Sequence, residues 1–181
     1  MSLIITFYSF KGGVGRTMAL ANMAVLIAQM GYKVLMVDWD LEAPGLPRYF
    51  ANYEMSNGGL GLLDLLEAKI CQSLKNINWQ RYISTLSLEK NRKLHLMSSG
   101  EPTQNYAGRV LDFNWEIFFE EYDGSNFIEY LRNFWKEEFD FVFVDSRTGI
   151  TDSGGICTIQ IPDVLAIVFT ANYQSLYGAK E

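Results

Sequence analysis

The stretch "FKGGVGRT" (residues 10–17) joins the apolar run "LIITFYS" (3–9) to the uncharged segment "TMALANMAVLIAQM" (17–30). Three glycines fall within four positions, with Lys11 before them and Arg16 after. A strand that runs into a glycine-rich turn and then a helix builds an anion site. Successive backbone N–H groups point inward, and the helix N-terminus adds its partial positive charge. Gly12, Gly13 and Gly15 permit the tight wrap, because a Cβ would collide with a bound phosphate or with the required dihedrals. Thr17 opens the helix, where its hydroxyl can meet a Mg2+ ion held by the same phosphates.

A glycine loop alone is a weak signal, so its partners decide the reading. "VLMVDWD" (34–40) supplies Asp38 and Asp40, and "FVFVD" (141–145) supplies Asp145. Both runs end in carboxylates at the sheet edge where the loop is expected. A carboxylate that follows buried hydrophobics costs free energy unless something compensates it. Magnesium does so, in sites that place one or two carboxylates beside nucleotide phosphates. Any one of these aspartates would read as the cap of the next turn. Two strand ends together with the loop read as a metal–nucleotide site.

Five near-continuous apolar runs rich in β-branched and aromatic residues read as buried strands: 3–9, 33–38, 93–99, 139–145 and 163–170. Helical patterns lie between them. Segment 17–30 is apolar all round, which predicts a largely buried helix ended by Gly31. Segment 61–74 puts Leu62, Leu65, Leu66, Cys71 and Leu74 near one face, with Asp64, Glu67 and Lys69 toward the other. Strand–helix alternation predicts an α/β fold, a mainly parallel central sheet with helices on both faces and ligands at the carboxyl ends of the strands. No repeat or linker interrupts the 181 residues, so residues 1–181 read as a single domain.

Composition narrows the function classes. The chain is 49% hydrophobic with a formal charge of −6 and no Lys or Arg run, which argues against direct non-specific DNA binding. A nucleotide needs only a local cluster of donors. Cys71 and Cys157 lack a CxxC or Cys/His neighbour and read as reduced core residues. No signal peptide, bilayer-spanning stretch or terminal amphipathic membrane helix is found, and the expected location is the cytoplasm. His95, with no second histidine in the chain, reads as structural. Residues 101–138 mix aromatics with Glu116, Glu120, Glu121, Asp123 and Glu129. Two readings stand: amphipathic helices burying aromatics against the sheet, broken near "DGSN", or a surface that docks a protein partner.

"KGGVGRT", "VLMVDWD" and "FVFVDSRTG" together resemble the deviant Walker A loop and the two switch segments of the ParA/MinD-type P-loop ATPases, in family order and over essentially the whole chain. "DWDLEAPGL", "DSRTG" and "FTANYQSLYG" carry a closer resemblance to a KGGVGR-motif subgroup found as the N-terminal NTPase module of larger proteins. The resemblance implies a three-layer P-loop NTPase fold that binds ATP and Mg2+ through Lys11, Gly12, Gly13, Val14, Gly15, Arg16, Thr17 and Met18. It implies metal binding by Thr17 and Asp145, supported through water by Asp38, and catalytic roles for Lys11 and Asp40. Lys11 would reach across an ATP-sandwiched homodimer to the partner's nucleotide, Arg16 would hold the β- and γ-phosphates in cis, and Asp40 would position the attacking water.

Two departures stand out. Arg16 occupies the place of a lysine, and its planar guanidinium suits phosphate gripping more than fine placement of the γ-phosphate. Arg147 in "DSRTG" reads as a ligand to phosphate, to a partner carboxylate, or to a surface acid. The family continues past the equivalent of "NYQSLYGAKE" with strands and helices that supply much of the adenine pocket. The chain therefore reads as C-terminally truncated, with an exposed sheet edge. The resulting expectation is an ATP-dependent dimerisation switch with slow hydrolysis. A nucleotide-binding regulatory scaffold with little turnover is the alternative, and a small-molecule ligase or kinase on the same scaffold is a third.

Overall fold

The computed structural model describes residues 2–56, 59–71, 78–149 and 155–171. Five strands expected from the sequence form, each trimmed by a residue or more: β1 (Leu3–Tyr8), β2 (Val34–Asp38), β5 (Lys93–Met97), β6 (Phe141–Asp145) and β7 (Val164–Ile167). Two short strands, β3 (Met55–Ser56) and β4 (Ser84–Ser87), join them. The sheet order is β3-β4-β5-β2-β6-β1-β7. Pairings from β5 through β7 are parallel, and β3 and β4 extend the sheet in antiparallel fashion.

The strands are apolar on both faces because both faces are covered. Val34, Met36 and Phe143 enter one core with Leu20, Ala21, Ala24 and Ala28 of helix α1 (Arg16–Gln29). Leu35, Val37, Val142 and Val144 enter the other, with helices α2 (Leu62–Cys71), α4 (Trp115–Glu120) and α5 (Gly124–Glu138). Side chains alternate along a strand with period two. Asp38 therefore follows Met36, and Asp145 follows Phe143, onto the face that carries α1.

Helix α1 departs from expectation. Its stripe of Leu20 and three alanines packs closely on the sheet, but Met18, Met23 and Leu26 stay 51%, 45% and 53% exposed. The sheet and the turn Leu46–Phe50 pack on parts of the helix, and the side that carries Met18, Met23 and Leu26 is left exposed among the described residues. Gly31 does end the helix, at φ +103°.

Residues 101–138 form three helices, α4, α5 and α3 (Tyr106–Asp112). Phe118, Phe127 and Trp135 are fully buried in the core, and Phe113, Trp115 and Phe119 pack on it. Most of these aromatics pack inward, as the packing reading expects, while Tyr130 stays exposed. Cys71 is a correction: it is exposed at the end of α2, beyond the buried run of Leu62, Leu63, Leu65 and Leu66, while Cys157 is buried as expected. His95 is structural. Its Nδ1 lies 3.1 Å from Thr85 Oγ1, and burial together with Lys33 and Lys93 lowers its pKa to about 4. Leu74 and residues 172–181 of the closing motif lie outside the described residues.

Candidate functional site

The turn between β1 and α1 has the backbone its glycines permit. Gly13 and Gly15 sit at φ +75° and +89°, a region that only glycine enters without strain. A Cβ added at Gly12 or Gly13 would meet nothing within 4 Å, so the turn borders open space. Helix α1 starts from Gly15 with no side-chain cap and no acidic residue in its first turn. Its first N–H groups are donors that no capping side chain takes up. Such a turn has the donors that a phosphate chain would need. Gly12, Gly13 and Met18 are exposed, and Lys11, Val14, Gly15 and Thr17 are half-buried.

The carboxylates converge on the same end of the sheet. Asp38 and Asp145 are direct register partners on β2 and β6. Thr17 Oγ1 donates to Asp145 Oδ2 at 2.7 Å. Asp38 Oδ2 accepts from the backbone N–H groups of Gly45 and Leu46, at 3.2 and 3.1 Å, and fixes the segment that follows β2. Its Oδ1 is buried without a partner. Burial, then the charge of Asp145, raises the Asp38 pKa to about 7. Asp145 is also raised, first by burial, with Arg16 opposing.

Hydroxyl and carboxylate oxygens suit a hard cation, and the orphaned Asp38 Oδ1 is an acceptor in search of one. Magnesium takes one or two protein ligands and completes its shell with phosphate and water. Thr17 and Asp145 would hold the metal, and Asp38 would support it.

Arg16 does not face the open turn. Its Nε donates to Asp145 Oδ1 at 2.5 Å and its Nη2 to Asp40 Oδ2 at 2.9 Å, while Nη1 lies 3.5 Å from Ser9 Oγ. The residue is only 7% exposed. Burial works against its charge, but Asp145 and Asp40 outweigh burial and its pKa is raised. Lys11, by contrast, forms no ion pair among the described residues and remains available to an incoming anion. Arg147 pairs with Glu42 at 2.6 Å, so of its three readings the surface ion pair is the one observed.

Sequence reasoning passed over several contributors. Ser9, one residue before the quoted loop, completes the Arg16 contacts. Glu42 links the segment after β2 to the segment after β6 through Arg147. Tyr106 Oη donates to the Leu41 carbonyl at 3.0 Å, pinning the same segment from α3. A cavity of about 440 Å³ borders that segment, walled by Pro44, Pro47, Arg48, Leu96, Ser99 and Pro102. Only the proximity of Glu42 to Asp40 carried a sequence signal.

Comparison with known proteins agrees with this geometry. The AAA domain family matches residues 2–181. The chain is 27% identical over 176 residues to the septum site-determining protein MinD of Helicobacter pylori, covering 97% of this chain and 56% of that protein. It is 36% identical over 177 residues to an uncharacterized ATP-binding protein of Methanocaldococcus jannaschii, covering 98% of this chain and 56% of that one. The chain thus spans little more than half the length of these relatives. Among solved structures, MinD of Pyrococcus horikoshii complexed with Mg-ADP superposes with a TM-score of 0.72 at 19% identity, covering 98% of this chain and 62% of that one. A plasmid partition protein of Borrelia burgdorferi gives 0.69 at 18% identity, with 99% and 69% covered. At such identities the likeness concerns the fold. Loop, sheet order and sequence matches together place the chain in the AAA domain family, among the ParA/MinD-type P-loop ATPases.

Proposed function

We propose that this chain binds ATP with Mg2+ in the turn of residues 10–17 and uses the triphosphate to favour a face-to-face homodimer, with slow hydrolysis as the reset. The observation that carries the reading is the uncapped start of α1 on left-handed Gly15, next to the open turn at Gly12 and Gly13 and tied through Thr17 to Asp145, the register partner of Asp38. Backbone N–H groups from Gly12 to Met18 bind and orient the phosphates. Thr17 and Asp145 hold the metal, and Asp38 supports it through water. Asp40 orients the water that attacks, and Lys11 reaches outward to the second copy. When bound, the metal–nucleotide supplies the phosphoanhydride bond and spreads the charge that develops on its terminal phosphate. The Mg-ADP named for the Pyrococcus MinD structure supports the choice of ligand.

A nucleotide-binding scaffold with little turnover is a second reading, favoured by the engagement of Arg16 with Asp40 and Asp145. No described helix is long and apolar enough to cross a membrane. Phosphate release under saturating ATP and Mg2+ separates the readings. The switch predicts slow turnover that falls at least about tenfold in Lys11→Ala and in Asp40→Ala. Release that neither variant alters contradicts it, and no release alongside tight binding selects the scaffold.

A further inference from the structure

Arg16 gathers three chain segments at one guanidinium: Ser9 at the end of β1, Asp40 beyond β2, and Asp145 at the end of β6. The side chains of Asp40 and Asp145 are 11% and 1% exposed, and Arg16 is their only ion-pair partner among the described residues. A third carboxylate, Asp38, stands in register with Asp145 and has an unpartnered oxygen. Several acidic groups in a nearly dry site therefore share one positive charge. Removing the cation from such a group strands buried charge and is strongly destabilising. The planar fork of arginine explains the residue type, because a single ammonium presents no comparable spread of donors toward separate strand ends.

We propose that Arg16 is the resident counter-cation of Asp40 and Asp145 in the nucleotide-free chain, and that loading with nucleotide and Mg2+ is an exchange in which the guanidinium gives up these carboxylates. This rests on the nucleotide binding where the preceding section places it. The exchange has two consequences. A metal-free polyphosphate is disfavoured, because it adds negative charge and draws Arg16 away from carboxylates that nothing then neutralises. Mg2+ alone is also disfavoured, because Arg16 already neutralises Asp40 and Asp145, and a divalent ion beside it would add uncompensated positive charge. Cation and nucleotide must arrive together.

Thermal unfolding without nucleotide tests the inference apart from binding or turnover. Wild type and Arg16→Gln are melted in EDTA and in millimolar Mg2+. The expected result is a wild-type midpoint that Mg2+ leaves unchanged, and a lower Arg16→Gln midpoint that Mg2+ raises by about 5 °C. Equal responses of the two proteins to Mg2+ overturn the inference. Should Arg16→Gln not fold, Asp40→Asn decides. With one carboxylate neutralised, its affinity for ATP in EDTA should rise at least about tenfold over wild type, and no rise overturns the exchange. A wild-type chain that binds no ATP under any condition contradicts the proposed function instead, and the Mg2+-only melts still judge the counter-cation.

Discussion

Asp38 makes a demand on pH that can be read from its surroundings. Burial and the neighbouring Asp145 lift its pKa from 3.8 to about 7. The folded chain therefore holds a proton that the unfolded chain releases between those values. Its stabilising effect is complete below about pH 4 and is lost as pH rises through 7. In chelator, Asp38→Asn should melt about 5 °C above wild type at pH 8, with less than half that margin left at pH 5. A margin that does not change with pH contradicts the assignment. Gly13 makes a different demand. Alanine there meets no atom but must hold φ +75°, at a cost of about 1–2 kcal/mol. Gly13→Ala should fold with a modestly lower midpoint while calorimetric titration shows ATP affinity at least about tenfold weaker; unchanged affinity would remove the turn from the binding site. Thr17, Asp38 and Asp145 were legible in the sequence because each sits at a motif end. The Arg16 contacts were not, since the carboxylates a guanidinium meets depend on the register of β2 against β6.

At the scale of elements, the break between α4 and α5 is set by close packing. A Cβ on Gly124 would lie 2.5 Å from Phe118 Cδ1 and 2.8 Å from its carbonyl oxygen, and Phe118 is fully buried. Gly108, inside α3, has nothing within 4 Å. Chemical denaturation should therefore separate the two glycines. Gly124→Ala should destabilise by about 1–3 kcal/mol through overpacking, and Gly108→Ala should stabilise by about 0.5–1 kcal/mol through helix propensity. Similar values for both would show that the turn, not the packing, sets the glycine. The strands that line the site were legible as apolar runs. Strands β3 and β4 were not, because "MS" and "STLS" are too short and polar to show a period. The outward face of α1 misled for a physical reason: apolarity all round marks a helix covered on every side, and among the described residues the sheet and the turn Leu46–Phe50 leave the side of Met18, Met23 and Leu26 exposed.

At the scale of the molecule, β7 closes one edge of the sheet and leaves Val164, Leu165, Ile167 and Phe169 at 39–49% exposure. An apolar edge invites strand addition. Leu165→Lys should change stability by no more than about 0.5 kcal/mol, yet reduce concentration-dependent association in sedimentation runs without nucleotide. Association that persists unchanged would place the sticky surface elsewhere. The same runs prepare the decisive comparison. Absolute mass by light scattering, with ATP and Mg2+ and then with ADP and Mg2+, tests the switch most directly. The account predicts a doubled mass with ATP that returns to the monomer with ADP and is lost in Lys11→Ala. The same mass in both nucleotide states contradicts it.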